Sequence, residues 1–194
     1  MIDTEQTIPR PKPSAIGRNI VIIGGTLFLV IIVTVMAINL NRVESVQLQG
    51  NPAPDFTLPL FDQFEQDQLT LSELRGQVVV INFWASWCVE CYKEAALLEQ
   101  AWQEHQDQGV MFIGVDYLDT DKEALAYLAQ YGITYPSGPD IGDEISKAFA
   151  ITGVPETFFI DKDGNIAHVQ IGPIEKAQLY ALLDRLIKQP RQDI

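Results

Sequence analysis

The chain has 194 residues, of which 47% are hydrophobic, and a formal net charge of −13 at pH 7. This length suits one domain of ordinary size with a small attachment. The acidic balance argues against nucleic acid as a partner, because phosphate binding needs clustered lysine and arginine. With 2 cysteines and 2 histidines, the composition also argues against a zinc site, which takes about four ligands.

The first predicted element is an apolar segment near the N-terminus. Residues 20–38 carry no charge and are long enough to cross a bilayer, which takes roughly 17–25 residues. A cleaved signal peptide is the alternative, because Val35-Met36-Ala37 resembles a cleavage site, but its apolar core should span only about 7–15 residues. We therefore expect a transmembrane anchor over 20–38, after a disordered leader over 1–19 and before a linker over 39–53.

The basic residues near this segment predict its orientation. Arg10, Lys12 and Arg18 precede it, whereas only Arg42 lies close after it. The positive-inside rule then keeps the N-terminus in the cytoplasm. The main domain, expected over 54–190, would lie outside the cytoplasm as part of a single-pass membrane protein.

The rest of the chain alternates between strand and helix patterns. A hairpin is predicted from 56–60 and 67–71. Apolar runs at 78–83 and 110–116 are typical of central strands, and a helix over 90–108 between them predicts a parallel β-α-β unit. The later predicted elements are helices over 121–132 and 143–149, strands over 157–160 and 165–170, and a C-terminal helix over 174–188.

Both cysteines lie where the first central strand ends. Cys88 and Cys91 directly precede a stretch that favours helix, so we expect Cys88 at a helix N-terminus. Unpaired N–H groups and the helix dipole stabilise a thiolate there, and the thiolate is the form that attacks disulfides. Cys91 can then resolve the mixed disulfide. A purely structural disulfide across so short a loop would add little stability, so a redox pair is favoured.

The segment Trp87-Cys88-Val89-Glu90-Cys91 resembles the W-C-x-x-C active site of the thioredoxin superfamily. Further motifs resemble the TlpA/ResA/CcmG (DsbE) family of membrane-anchored thiol–disulfide oxidoreductases, and they lie at 54–58, 71–77, 116–119 and 153–161. The resemblance covers roughly residues 51–187. It implies a thioredoxin-like α/β fold of the redoxin type, with a central mixed sheet flanked by helices, an N-terminal β-hairpin extension and a βα insertion.

This resemblance also implies functional residues around the cysteines. Pro155 matches the cis-proline that packs against the cysteine pair, and Val154 and Glu156 flank it in the expected substrate-docking loop. The glutamate of C-x-x-C-x-x-E matches Glu94. Burial would raise the pKa of Glu94 and let it act as a general acid and base, whereas a solvated carboxylate is the alternative.

Three other residues near the cysteines bear on the chemistry. Trp84 and Trp87 either pack in the core or form an apolar rim for substrate docking. Glu90 lies between the cysteines, where its charge opposes thiolate formation and favours a reducing protein, closer to thioredoxin than to a DsbA-type oxidant.

The resulting functional hypothesis is an extracytoplasmic disulfide reductase that acts in cytochrome c maturation. The resemblance implies apocytochrome c as substrate and a CcdA/DsbD-type membrane protein as reductant. We expect no cofactor besides the Cys88–Cys91 disulfide, and a monomer. The alternatives are a general envelope disulfide reductase, a thiol peroxidase and a non-catalytic docking module. A thiol peroxidase would need a T-x-x-C pattern, with threonine in place of Ala85. A docking module would keep its activity after Cys88→Ser.

Overall fold

The computed structural model describes residues 24–34 and 48–191. The chain divides into two compact units, Met1–Arg42 and Val43–Ile194. Of the anchor predicted over 20–38, residues 24–34 are helical and exposed, and the remainder lies outside the described residues, as do the leader 1–19 and most of the linker. Among the described residues, no helix is long and apolar enough to cross a membrane.

The second unit alternates strands and helices in the described range 48–191. The strands are β1 Thr57–Pro59, β2 Gln68–Thr70, β3 Val78–Trp84, β4 Val110–Asp116, β5 Ser137–Pro139, β6 Glu156–Ile160 and β7 Ile166–Ile171. The α-helices are α1 Ala95–His105, α2 Asp121–Tyr131, α3 Glu144–Ala148 and α4 Lys176–Lys188. Short 3₁₀ turns lie at Leu71–Leu74, Cys91–Lys93, Gln106–Gln108 and Ile141–Asp143.

The main sheet has five strands in the order β5-β4-β3-β6-β7. β3, β4 and β5 pair in parallel, whereas β6 and β7 pair antiparallel, so the sheet is mixed as predicted. β1 and β2 form a separate antiparallel hairpin, which confirms the predicted N-terminal hairpin. Between β4 and β6 the chain adds α2, β5 and α3, where the insertion was expected.

β3 is the centre of the fold, and every one of its residues is buried. Val78, Val80 and Trp84 contribute to a core that also contains residues of α1, α2 and α4 and both cysteines. Val79, Ile81 and Phe83 contribute to a second core with the hairpin and α3. This alternation places successive β3 residues on opposite faces of the sheet, so the end of β3 delivers the cysteine loop to the face covered by α1.

Two local features differ from the sequence prediction. The helix predicted over 90–108 is a 3₁₀ turn at Cys91–Lys93 followed by α1, so the α-helix begins after the cysteines. The resemblance implied a βα insertion, but the residues themselves did not locate β5, because Ser137-Gly138-Pro139 has none of the residues that favour strands. Gly138 is required there because the backbone carbonyl oxygen of Pro59 occupies the space a Cβ would fill.

Candidate active site

Cys88 and Cys91 form a disulfide directly beyond the end of β3. Cys88 is 5% exposed and Cys91 is 1% exposed, so Cys88 is the more accessible residue of the pair, as expected for the attacking cysteine. The Cys91 N–H donates to Cys88 Sγ at 3.1 Å. Across residues 24–34 and 48–191, no group of three or more histidine, cysteine, aspartate or glutamate residues could hold a metal ion. The disulfide is the redox group that these residues supply.

The loop between β3 and Cys88 contacts the segment that follows β4. Three hydrogen bonds join them, from the Tyr117 N–H to the Trp84 carbonyl (2.8 Å), from the Ser86 N–H to Asp119 Oδ2 (2.6 Å) and from the Trp87 indole N–H to the Leu118 carbonyl (3.0 Å). Tyr92 adds a fourth bond within the site, because its hydroxyl donates to the Ser86 carbonyl. The loop is therefore held by backbone and side-chain groups that are distant in sequence.

The Val154–Pro155 peptide bond is cis, as the resemblance implies. β6 pairs with β3 so that Glu156 lies opposite Phe83, which places Pro155 beside the point where the chain leaves β3 for the cysteine loop. Pro155 is buried and Val154 is half-buried. The structure therefore brings the cis-proline to the same end of the sheet as the two cysteines.

Glu156 does not line a docking surface, so this part of the sequence prediction is wrong. Its side chain is 1% exposed, and Oε1 accepts hydrogen bonds from the Thr152 N–H (2.7 Å) and the Thr152 hydroxyl (2.8 Å). It lies on the opposite sheet face from Thr157, the next residue of β6. The Glu156 carboxylate thus stabilises the loop that leads into the cis-proline.

Glu94 lies buried beneath the cysteine turn. Oε1 accepts a hydrogen bond from the Asn82 side-chain amide (2.8 Å), and Oε2 accepts one from the Ile174 N–H (2.8 Å). Asn82 also donates to the Thr157 hydroxyl at 2.9 Å. Burial raises the pKa of Glu94 to about 7, against the smaller lowering effect of these two hydrogen bonds. Its carboxyl can therefore take up or release a proton near neutral pH.

The two tryptophans beside the cysteines differ in exposure. Trp84 is 1% exposed and stacks on Tyr127 with 4.5 Å between ring centroids, so the expectation that Trp84 contributes to a docking rim is wrong. Trp84 belongs to the core because it is the last residue of a strand buried on both faces. Trp87 is 55% exposed. Its role in docking stays a prediction.

Other exposed apolar side chains surround Trp87. Val89, Tyr92 and Leu118 are all exposed, and Leu118 has a φ of 51° in the left-handed region. We call Trp87, Val89, Tyr92 and Leu118 the apolar rim. Sequence reasoning missed Leu118, which comes 30 residues after Cys88 along the chain and reaches the site only through the pairing of β4 with β3.

The charge of Glu90 is compensated in the structure. Lys93 Nζ lies 2.7 Å from Glu90 Oε2, and both side chains are about half exposed. The pair offsets the negative charge that the sequence analysis placed beside the sulfurs, since Lys93 adds a positive charge one turn later. The charge of Glu90 alone therefore does not make the cysteine pair reducing.

Asp116 is a functional candidate that the sequence analysis did not single out as a site residue. It is the last residue of β4, lies opposite Trp84 and is 3% exposed. Burial and the charges of Asp119 and Asp121, together with a hydrogen bond to the Asp119 side chain, raise the pKa of Asp116 to about 8. The feature of the sequence that could have identified Asp116 is an acidic residue at the end of an apolar run.

A thioredoxin-like sheet with a C-x-x-C disulfide at the end of its central strand and a cis-proline beside it defines a thiol–disulfide oxidoreductase. The comparisons with known proteins give the same class. The chain belongs to the AhpC/TSA family, whose model matches residues 49–169.

Two relatives carry names for this activity. The chain is 42% identical over 135 residues to the thiol:disulfide interchange protein DsbE of Allochromatium vinosum, covering 69% of this chain and 72% of that protein. It is 32% identical over 143 residues to the thiol-disulfide oxidoreductase ResA of Bacillus thuringiensis, covering 74% and 80%. These matches confirm the family resemblance and the enzyme class predicted from the sequence.

A solved structure also matches. It is a thiol:disulfide interchange protein of the thioredoxin family from Chlorobium tepidum. The match has a TM-score of 0.64 at 28% identity and covers 70% of this chain and 95% of that one. The thioredoxin-like fold predicted from the sequence is thereby confirmed.

Proposed function

We propose that this thiol–disulfide oxidoreductase works as a reductase outside the cytoplasm, and that its substrate is the oxidised C-x-x-C-H segment of apocytochrome c before haem attachment. The observation that carries the proposal is the combination of a nearly buried Cys88–Cys91 disulfide with Glu94, a buried carboxyl that titrates near neutral pH. The similarity to DsbE and ResA proteins supports the choice of substrate.

Cys88 is the nucleophile in the proposed reaction. The Cys88 thiolate attacks one sulfur of the substrate disulfide, breaks that S–S bond and forms a mixed disulfide, while the displaced substrate thiolate takes up a proton. The Cys91 thiolate then attacks Cys88 Sγ, forms the Cys88–Cys91 disulfide and releases the second substrate thiolate. Two electrons and two protons pass from the dithiol to the substrate.

Glu94 supplies the base for the second step. It lies three residues after Cys91, on the same helical turn, and its N–H donates to the Cys91 carbonyl at 3.3 Å. A carboxylate whose pKa lies near 7 can accept the Cys91 proton at neutral pH and return it when the disulfide is reduced again. Thioredoxins carry an aspartate at the position of Asn82, which here donates to Glu94 instead.

The reaction also needs a location and a source of electrons. An anchor over residues 20–38, with Arg10, Lys12 and Arg18 on the cytoplasmic side, would keep the redox domain outside the cytoplasm. An exported compartment is oxidising, so a reductase there must be reduced again by a partner. A membrane dithiol protein of the CcdA/DsbD type would donate its two electrons to the Cys88–Cys91 disulfide and become a disulfide itself.

The proposal is tested with an oxidised peptide that contains C-x-x-C-H. The Cys91→Ser variant should accumulate a mixed disulfide with this peptide, because the resolving thiol is missing. The Cys88→Ser variant is the matched control and should form no adduct. Equal rates with this peptide and with an unrelated protein disulfide would contradict a cytochrome substrate, and rapid turnover of peroxide without peptide reduction would indicate a thiol peroxidase instead.

A further inference from the structure

We infer that Asp119 is a positioning residue for thiol–disulfide exchange, because its carboxylate fixes the loop from which Cys88 presents its sulfur. The inference rests on the proposed role of Cys88 as the nucleophile. The described hydrogen bonds of Asp119 go to the Ser86 and Thr120 N–H groups and not to either sulfur, so Asp119 acts through Ser86. It would be the residue that links the end of β4 to the reactivity of the cysteine pair.

Asp119 forms the shortest of the hydrogen bonds that join the cysteine loop to the segment after β4. Its Oδ2 accepts the Ser86 N–H at 2.6 Å, and a carboxylate acceptor makes a backbone N–H bond stronger than a neutral one. Ser86 lies two residues before Cys88, and the Cys88 N–H donates to the Ala85 carbonyl at 3.1 Å. The bond to Asp119 therefore fixes the tight turn that ends at the nucleophile.

The Asp119 carboxylate is itself held in place by its neighbours. Oδ1 accepts the Thr120 N–H at 2.8 Å, and the buried Asp116 lies close enough for the Asp119 charge to raise its pKa. Because the pKa of Asp116 is raised to about 8, mainly by burial, Asp116 is mostly protonated at neutral pH. A neutral Asp116 avoids charge repulsion with the Asp119 side chain beside the cysteine loop.

The same segment also orients part of the apolar rim. The Leu118 carbonyl accepts the Trp87 indole N–H at 3.0 Å, and the left-handed backbone of Leu118 directs that carbonyl toward the loop. Loss of the Asp119 contact would release both Ser86 and its neighbour Trp87. Since exchange needs the attacking sulfur aligned with the substrate S–S bond, a displacement of about 1 Å can slow such a reaction by up to about 100-fold.

Three variants separate a hydrogen-bonding role from an electrostatic one. Asp119→Asn keeps an acceptor oxygen for the Ser86 N–H, whereas Asp119→Ala and Asp119→Leu remove it. Asp121→Asn is the matched control, because Asp121 is exposed and adds a like charge near Asp116 but has no described bond to the cysteine loop. Unfolding transitions of all variants show which of them retain the fold.

The readouts are the pH dependence of iodoacetamide labelling at Cys88 in the reduced protein and the rate of its oxidation by oxidised glutathione. We expect Asp119→Ala and Asp119→Leu to slow oxidation about tenfold or more and to shift the labelling profile. Asp119→Asn should stay within about threefold of the natural protein, and Asp121→Asn should match it. If one of the two apolar variants fails to fold, the other and Asp119→Asn still provide the comparison.

Two results would overturn the inference. One is an oxidation rate and a labelling profile in Asp119→Ala or Asp119→Leu that equal those of the natural protein. The other is an equal loss in Asp119→Asn and Asp121→Asn, which would show that charge and not the hydrogen bond matters. Neither readout uses a protein substrate, so failure of the cytochrome proposal leaves this test intact, whereas unchanged exchange in Cys88→Ser would overturn the nucleophile assignment itself.

Discussion

Asn82 donates a 2.8 Å hydrogen bond to Glu94 Oε1, joining the strand that precedes the cysteines to the turn that follows them. Both side chains are buried, and Glu94 also accepts the Ile174 N–H that precedes α4. The carboxyl group is thus held by two separate parts of the chain, β3 and the segment before α4. Uptake or release of a proton by Glu94 would therefore change the charge at the base of the cysteine turn.

In Glu94→Gln, the rate of dithiol oxidation should no longer depend on an ionisation near pH 7. Above pH 7 the Glu94 carboxylate can accept the Cys91 proton, so the natural protein should gain rate as the pH rises through 7. Glutamine cannot accept it, and we expect a loss of about tenfold or more at pH 8. Stopped-flow oxidation between pH 5 and pH 9 measures this. Glu73→Gln, at an exposed glutamate outside the site, is the control, and an unchanged profile in Glu94→Gln would refute the role.

Asp116→Asn should reduce the loss of stability as the pH rises. The pKa of Asp116 is raised from 3.8 to about 8, so the folded protein binds a proton that the unfolded chain has already lost over this range. Its stabilising effect is complete below about pH 4 and is lost as the pH rises through 8. The pKa of Glu94 is raised from 4.5 to about 7, so its stabilising effect is likewise lost as the pH rises through 7. Asparagine has nearly the same size as aspartate but does not titrate.

The diagnostic window for this prediction is about pH 7.5 to 8.5, because Glu94, whose pKa is about 7, is mostly ionised there. Urea unfolding midpoints should fall with pH in the natural protein and fall less in Asp116→Asn. Asp62→Asn changes an exposed aspartate of the hairpin loop and should keep the natural slope. Equal slopes in the natural protein and in Asp116→Asn would show that Asp116 is ionised throughout.

Glu156→Ala should destabilise the cis-proline loop. Oε1 accepts two hydrogen bonds from Thr152, and removing it leaves the Thr152 N–H without its partner. We expect a loss of about 1–3 kcal/mol in the free energy of unfolding. Glu156→Gln keeps a carbonyl oxygen and should lose less. If Glu156→Ala has the same free energy of unfolding as the natural protein, the structural role assigned to this carboxylate is contradicted.

Gly114→Ala should destabilise the protein through steric overlap in the sheet. A Cβ at Gly114 would lie 2.8 Å from Trp84 Nε1 and closer still to Ser137 Oγ, both of which belong to buried residues. Such overpacking costs about 1–3 kcal/mol. Gly153→Ala is the matched control, because a Cβ there meets no atom within 4 Å. Similar unfolding free energies for the two variants would refute this account of the packing.

Trp87→Ala should weaken the reduction of protein disulfides more than that of a small one. The indole is the largest exposed member of the apolar rim, and it borders Cys88 directly in the chain. We expect kcat/KM to fall about tenfold with an oxidised C-x-x-C-H peptide, since an aromatic contact contributes about 0.5–1.5 kcal/mol beyond the area it buries and about 1.4 kcal/mol corresponds to tenfold. The rate with oxidised glutathione should change little. Equal losses with both substrates would indicate a structural role for Trp87.

The sequence predicted the central framework because its signals are local. β3 and β4 are uninterrupted apolar runs, and the predicted crossover between them requires the parallel pairing that the sheet shows. The cis bond before Pro155 and the burial of Glu94 followed from family motifs. These features depend on residues close together in the chain or on a recognisable pattern.

The remaining features depend on contacts between distant residues. Asp119 binds Ser86 across 33 positions, and no periodicity in either segment indicates that contact. The burial of Trp84 and Glu156 follows from the strands that flank them in space. Lys93 neutralises Glu90 in a 3₁₀ turn that the sequence predicted as ordinary helix. Tertiary packing therefore decided which candidates face the substrate and which support the site.

The reduction potential of the Cys88–Cys91 pair tests the proposed reductase function most directly. Equilibration of the protein with dithiothreitol and glutathione buffers, followed by quantification of free thiols, gives this value. A reductase supplied with electrons across the membrane should have a potential near or below that of thioredoxin, about −270 mV. A value near −120 mV, typical of a DsbA-type oxidant, would contradict the reductase assignment and with it the role in cytochrome c maturation.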